Sequence, residues 1–185
     1  MSFSSRGAQA ISEIGAALAA VDPAAVEALV AEIAGARRVA LHGVGREGLM
    51  MQALAMRLYH LGLDAHVVGD MTTPPLGPGD LLVVSAGPGQ FATIAALVGV
   101  AGRAGARTAC VTAQAEGAVP RACDLTLVLP AQTMADDRAP AGSVLPMGSL
   151  YEGVQFIAFE AVVLALRDRT QATPEAMRAR HTNLE

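Results

Sequence analysis

The chain has 185 residues, 52% of them hydrophobic and 16% charged, which is enough apolar material for one globular domain with its own core and no need of disulfide or metal staples. A formal charge of −4, 3% aromatic residues and no Trp exclude a nucleic-acid binder, which would need a basic stripe and stacking rings. The start, MSFSSRGAQA, lacks the apolar run of a signal peptide, and the most apolar stretch, GVQFIAFEAVVLAL, reads as too short for a bilayer and carries Glu160, so a soluble cytoplasmic protein is expected.

Residues 1–36 are Ala-rich and contain two predicted helices, the second opened by Asp22 as N-cap with Pro23 at the first helical position. From Arg38 the texture changes. Short apolar runs (RRVALHG, AHVVGD, LLVVSAG, RTACVTA, LTLVLPA) alternate with longer amphipathic ones, which is the mark of βαβ units and of a parallel sheet covered on both faces. Five strands are predicted, near 38–42, 65–68, 81–85, 107–112 and 125–129, within an α/β core spanning 38–130. On the first helix of that core, Met56 and Tyr59 fall at helical spacing near Met51 and Leu58, and core packing is the expectation for them. Residues 131–146, AQTMADDRAPAGSVLP, read as a long loop, and long loops in small domains are often functional. The segment 148–185 then supplies a long apolar helix, a short helix capped by Thr173-Pro174-Glu175, and a tail, so that 1–185 reads as a single domain.

Ligands of open parallel sheets bind beyond the carboxyl ends of the strands. Two glycine loops fall there: HGVGREG after the first strand and SAGPGQF after the third. Gly43, Gly45 and Gly48 spell a formal G-x-G-x-x-G, but Asp64 precedes the second strand instead of ending it, Glu47 would set a carboxylate against a pyrophosphate, and no room remains for a substrate domain. No nucleotide cofactor is expected. The second loop has the form of an anion cradle with few hydroxyls: Ser85 alone carries one, and Pro88 has no N–H to give. His42, His60 and His66 lack metal-ligand spacing, and Cys110 and Cys123 have no C-x-x-C spacing, so neither a metal nor a redox pair is expected and both thiols read as reduced and buried.

The segments GVGREGLMMQALAMRLYHLG, VVGDMTTPPLGPGDLLVVSAGPGQ, PMGSLYE and RHTNLE resemble the 6-phospho-3-hexuloisomerases of the sugar isomerase (SIS) domain group, over Arg38 to Glu185. The resemblance implies an SIS three-layer sandwich with a five-stranded parallel sheet flanked by helices. It also implies a homotetramer or homodimer with sites at subunit interfaces, a small sugar or sugar-phosphate-like ligand, and metal-free interconversion of a 3-keto and a 2-keto hexose 6-phosphate. The chain departs from the pattern where the family holds phosphate. The family typically reads G-x-G-R-S-G, with a serine where Glu47 stands; its S-G-S-G-E-T is replaced by Ala86, Gly87, Pro88, Gly89, Gln90 and Phe91, and its Gln before PMG by Leu145. Each hydrogen bond lost to a charged group is worth about 1.5–3 kcal/mol, so phosphate held in the family's manner is disfavoured. The expectation is an isomerase with an altered substrate, the alternative a non-catalytic SIS-type carbohydrate-binding or regulatory domain.

By the resemblance, Glu152 in PMGSLYE is the base that moves a proton between adjacent carbons through a cis-enediolate, a task that needs one partly desolvated carboxylate. His181 of the tail is a candidate proton shuttle supplied by a neighbouring subunit, and Arg46 a candidate oxyanion ligand or a partner for Glu47 or Glu152. Substrate contact is expected from Gly43, Gly45, Glu47, Ser85, Gly87, Gly89 and Gln90, with Thr72 and Thr73 either offering hydroxyls or shaping a turn before Pro74. Three roles stay open for Glu47: accepting hydrogen bonds from sugar hydroxyls beside Phe91, filling the anion pocket itself, or facing solvent from the first turn of a helix.

Overall fold

A parallel sheet in the order β2-β1-β3-β4-β5 organises the chain, formed by β1 (Arg38–His42), β2 (Ala65–Val67), β3 (Asp80–Ser85), β4 (Arg107–Thr112) and β5 (Leu125–Val128). The structure is a computed structural model, and it describes residues 2–138 and 142–184. Residues 139–141, inside the predicted long loop, lie outside the described residues. All six residues of the central β3 are buried, as expected of a strand covered on both faces.

Alternate strand residues feed two cores. Val39, Leu41, Leu81, Val83, Ala109 and Val111 pack on one side against α2 (Pro23–Gly35), α3 (Gly45–Leu61) and α6 (Ser149–Thr170), with α1 (Phe3–Ala19) outside α6. Ala40, Leu82, Val84 and Cys110 pack on the other side against α4 (Ala92–Arg103) and α5 (Ala118–Arg121). This period of two is the pleat made visible, and it yields a three-layer α/β/α sandwich. The remaining helix, α7 (Pro174–Ala179), lies against α3. The predicted caps are in place: Asp22 accepts from the Ala24 N–H at 2.9 Å and Thr173 from the Ala176 N–H at 3.2 Å.

Two expectations are corrected. Met56 and Tyr59 are about half exposed on the outer face of α3, and its buried apolar side chains are Met51, Leu54, Ala55, Leu58 and Leu61. The apolar run near the C-terminus belongs to a 22-residue helix that is long and apolar enough to cross a membrane, yet half of its most apolar window is buried inside the protein. Glu160 on that helix takes two hydrogen bonds from Arg57 of α3, at 3.0 and 2.8 Å. α6 therefore serves as the central helix of the larger core.

Candidate active site

The strand order reverses between β1 and β3, and the loops leaving these two strands meet at that switch point, where open α/β sheets form their clefts. Gly43 and Gly48 let the first loop turn directly into α3: a Cβ on Gly48 would stand 2.6 Å from the Gly43 carbonyl oxygen. The second loop is fastened from below. The Gly89 N–H donates to the Ala86 carbonyl at 2.7 Å with Gly89 at φ +82°, the Thr112 hydroxyl donates to the same carbonyl at 2.7 Å, and the Val119 N–H of α5 donates to the Gly89 carbonyl at 3.1 Å.

Glu47, in the first turn of α3, crosses to the second loop. Its Oε2 accepts from the Ser85 hydroxyl at 2.5 Å and from the Gly87 N–H at 2.9 Å, while Oε1 accepts no hydrogen bond among the described residues. Of the three roles open to Glu47 in the sequence, the structure shows its carboxylate on the two donors of the loop, 8% exposed and not facing solvent. The fully buried Tyr151 of α6 closes the other side, with its hydroxyl 3.4 Å from Ser85 Oγ. Gly87 has to be small here, because a Cβ would meet Glu47 Oε1 at 2.8 Å and the Tyr151 ring at 2.9 Å.

Glu152 starts α6 one residue beyond Tyr151 and is held by Arg46, whose Nη2 lies 2.8 Å from Glu152 Oε2 and whose Nη1 donates to the Ser149 hydroxyl at 2.9 Å. Burial raises the Glu152 carboxyl above the usual range; the Arg46 cation opposes that shift and the Glu47 carboxylate adds to it. Burial also raises Glu47, against the Ser85 and Gly87 hydrogen bonds that favour its anion. The two carboxyls, Arg46, Phe91, Thr133 and Met147 line one cavity of about 120 Å³. Met147 enters it with φ +54°, a left-handed conformation uncommon outside glycine.

The sequence-predicted residues therefore divide. Gly45, Arg46, Glu47 and Glu152 line the cavity, Ser85 and Gly87 hold Glu47, and Gly43 and Gly89 shape the loops. Gln90 is exposed, and Thr73 donates to the Val67 carbonyl at 2.6 Å in a turn; neither it nor Thr72 lines the cavity. His181 stacks on His60, with ring centroids 5.3 Å apart, at the end of α3 remote from Glu47, so within one chain it does not meet Glu152. Among the described residues no group of three or more His, Cys, Asp or Glu could hold a metal ion. Cys110 and Cys123 pack in one core, where each thiol's influence on the other raises Cys110 and lowers Cys123, and the Cys110 thiol donates to the Val111 carbonyl at 3.6 Å. Sequence reasoning missed Tyr151 and Thr133, although Tyr151 adjoins Glu152 in PMGSLYE.

Sheet order, layer arrangement and a cleft at the switch point are those of a doubly wound α/β sandwich, the architecture found in sugar isomerase (SIS) domains. No family model matches the chain. It is 38% identical over 173 residues to the 3-hexulose-6-phosphate isomerase of Mycobacterium gastri, covering 94% of this chain and 86% of that one. It is 30% identical over 178 residues to the enzyme of the same name from Bacillus subtilis, covering 96% of each. A solved structure from Methanococcus jannaschii, from which a 3-hexulose-6-phosphate isomerase function was inferred, superposes with a TM-score of 0.78 at 27% identity, over 87% of this chain and 86% of that one. The chain belongs to the 3-hexulose-6-phosphate isomerase family of SIS-domain enzymes.

Proposed function

We propose that this chain is a keto-sugar isomerase in which Glu152 transfers a proton between adjacent carbons of a substrate that carries no phosphate in the second loop. The single observation behind the altered substrate is the place of Glu47: its Oε2 takes the Ser85 hydroxyl and the Gly87 N–H, the two donors that an incoming phosphate would need. A phosphate there would have to displace the Glu47 side chain from both donors, whichever protonation state that carboxyl holds. The relatives named for 3-hexulose 6-phosphate support the reaction type. Glu152 has the attributes of the base, being partly desolvated, raised in pKa and held by one cation at the mouth of the cavity. Arg46 is suited to the developing enediolate oxygens, and His181 would take part only as the residue of a second subunit.

The test is solvent deuterium incorporation at the substrate carbon, followed by NMR, with fructose 6-phosphate, fructose and dihydroxyacetone offered in turn and Glu152→Gln as control. Glu152-dependent exchange with the unphosphorylated sugars supports the reading. Exchange confined to fructose 6-phosphate would show that another group holds the phosphate, and no exchange with any sugar would favour a binding domain.

A further inference from the structure

We propose that Glu47 is a second catalytic acid, which in its neutral form presents a proton on Oε1 to the cavity it shares with Glu152. The inference rests on the isomerase reading above and assigns the proton traffic at the sugar oxygens, beside Arg46, Thr133 and Tyr151 in the same cavity.

The geometry sets which oxygen carries the proton. Oε2 already accepts two hydrogen bonds, from the Ser85 hydroxyl at 2.5 Å and the Gly87 N–H at 2.9 Å, so a proton on that oxygen would collide with a donor. Oε1 accepts none among the described residues; it lies beside Gly87, 2.8 Å from where a Cβ there would stand, and the Glu47 side chain lines the cavity. A neutral Glu47 is therefore a donor aimed by its own acceptor contacts. Its surroundings favour that form. Tyr151 and Glu152 face it from α6, Cys110 approaches from β4 and Ser85 from β3. Arg46, on its own helix, turns its guanidinium to Glu152 and Ser149. Burial then raises the Glu47 carboxyl.

Two carboxyls around one hydroxy-ketone balance the reaction. The Glu152 carboxylate takes the proton of the hydroxyl-bearing carbon, the electron pair moves through the new C=C bond to the carbonyl oxygen, and that oxygen takes the proton of Glu47. The intermediate is a neutral cis-enediol with Glu152 protonated and Glu47 ionised. Glu47 then removes the proton of the original hydroxyl as Glu152 returns its own to the former carbonyl carbon. Both side chains end as they began. A positioned acid of this kind is worth about 10²–10⁴-fold.

Glu47→Gln keeps the side chain's size and an oxygen for Ser85 and Gly87 but has no proton to relay. The deuterium exchange rate with fructose and dihydroxyacetone is to be measured against pH for the wild type, Glu47→Gln and Ser85→Ala, together with infrared spectra of the ligand-free proteins. The wild type should show a protonated carboxyl band that persists to higher pH than that of an ordinary glutamate and that Glu47→Gln lacks. Glu47→Gln should lose about 100-fold in rate and also the alkaline limb of the profile. Ser85→Ala removes a bond that favours the anion, so its alkaline limb should move to higher pH. Absence of the band, or a Glu47→Gln enzyme with wild-type rate and profile, would overturn the role of Glu47 while leaving Glu152-dependent exchange intact. Loss of Glu152-dependent exchange in the wild type would overturn the isomerase reading as well.

Discussion

Arg46 and Glu152 are held together across the mouth of the cavity, with Nη2 2.8 Å from Oε2, although one side chain lies at the start of α3 and the other at the start of α6. The pair is asymmetric: the Arg46 side chain is 61% exposed and that of Glu152 12%. The cation thus sits where water screens it, while the carboxylate sits where its absence would be felt. Arg46→Ala removes the influence that lowers the Glu152 carboxyl, leaving burial and Glu47, both of which raise it. The base form is then reached only at higher pH, so the acid limb of the exchange profile moves up. At neutral pH the rate falls roughly tenfold, as expected from the loss of one close ion pair beside the base. Arg46→Lys should restore part of the shift, which a pH profile of all three proteins would read.

Replacing Glu47 by the serine typical of the family empties the two donors of the second loop. In Glu47→Ser the Ser85 hydroxyl and the Gly87 N–H lose their carboxylate and become available to an external anion. Inorganic phosphate and fructose 6-phosphate should gain at least about tenfold in affinity, since two hydrogen-bond donors become available to a charged group. Titration calorimetry with both ligands checks this. Unchanged binding by both would mean that Glu47 does not govern anion access.

How much of this was legible beforehand differs from residue to residue. Parallel strands are nearly continuous apolar runs, so all five lie within a residue of their predicted limits. β3 begins one residue early because Asp80, polar yet buried, is paired with Arg37 at 2.8 Å. α5 was not legible: four residues containing Pro120 look like a turn until packed on the second loop. Met56 and Tyr59 misled because α3 carries apolar residues around much of its circumference, and only the position of α6 decides which stripe is buried. Glu47 had three readings because its donors, Ser85 and Gly87, stand 38 and 40 residues away, on a loop made adjacent by the switch in strand order.

The buried carboxyl of Glu47 also leaves a trace in stability. Its folded-state pKa is raised by burial, so the folded protein holds a proton that the unfolded chain has released. Stability from this group is complete below the ordinary glutamate range and is lost as pH rises toward the folded value. Asp64, Asp124 and Glu13, whose carboxyls are lowered by their partners, slope the opposite way at lower pH, so the informative quantity is the difference between two proteins. Relative to the wild type, Glu47→Gln should gain in Tm steadily from about pH 4.5 upward, where an unperturbed glutamate begins to ionise. A Tm difference that is flat with pH would show that Glu47 titrates normally.

The close approach of Gly43 and Gly48 links the stability of α3 to the site. With the Gly43 carbonyl 2.6 Å from where a Cβ on residue 48 would stand, Gly48→Ala must push the start of α3 off the end of β1. Overpacking of this kind costs about 1–3 kcal/mol, which a denaturant melt would report. The displacement has a second consequence, because Glu47 immediately precedes Gly48 and reaches Ser85 only from the present position of the helix. Gly48→Ala should therefore lower the exchange rate by more than its stability loss explains at temperatures where it remains folded. Leu58→Ala, three turns along the same helix and fully buried, offers the contrast: about 2–5 kcal/mol of stability lost with the exchange rate of the folded protein unchanged. If the two variants were equally active per folded molecule, the glycine contact would be a matter of packing and would not position the acid.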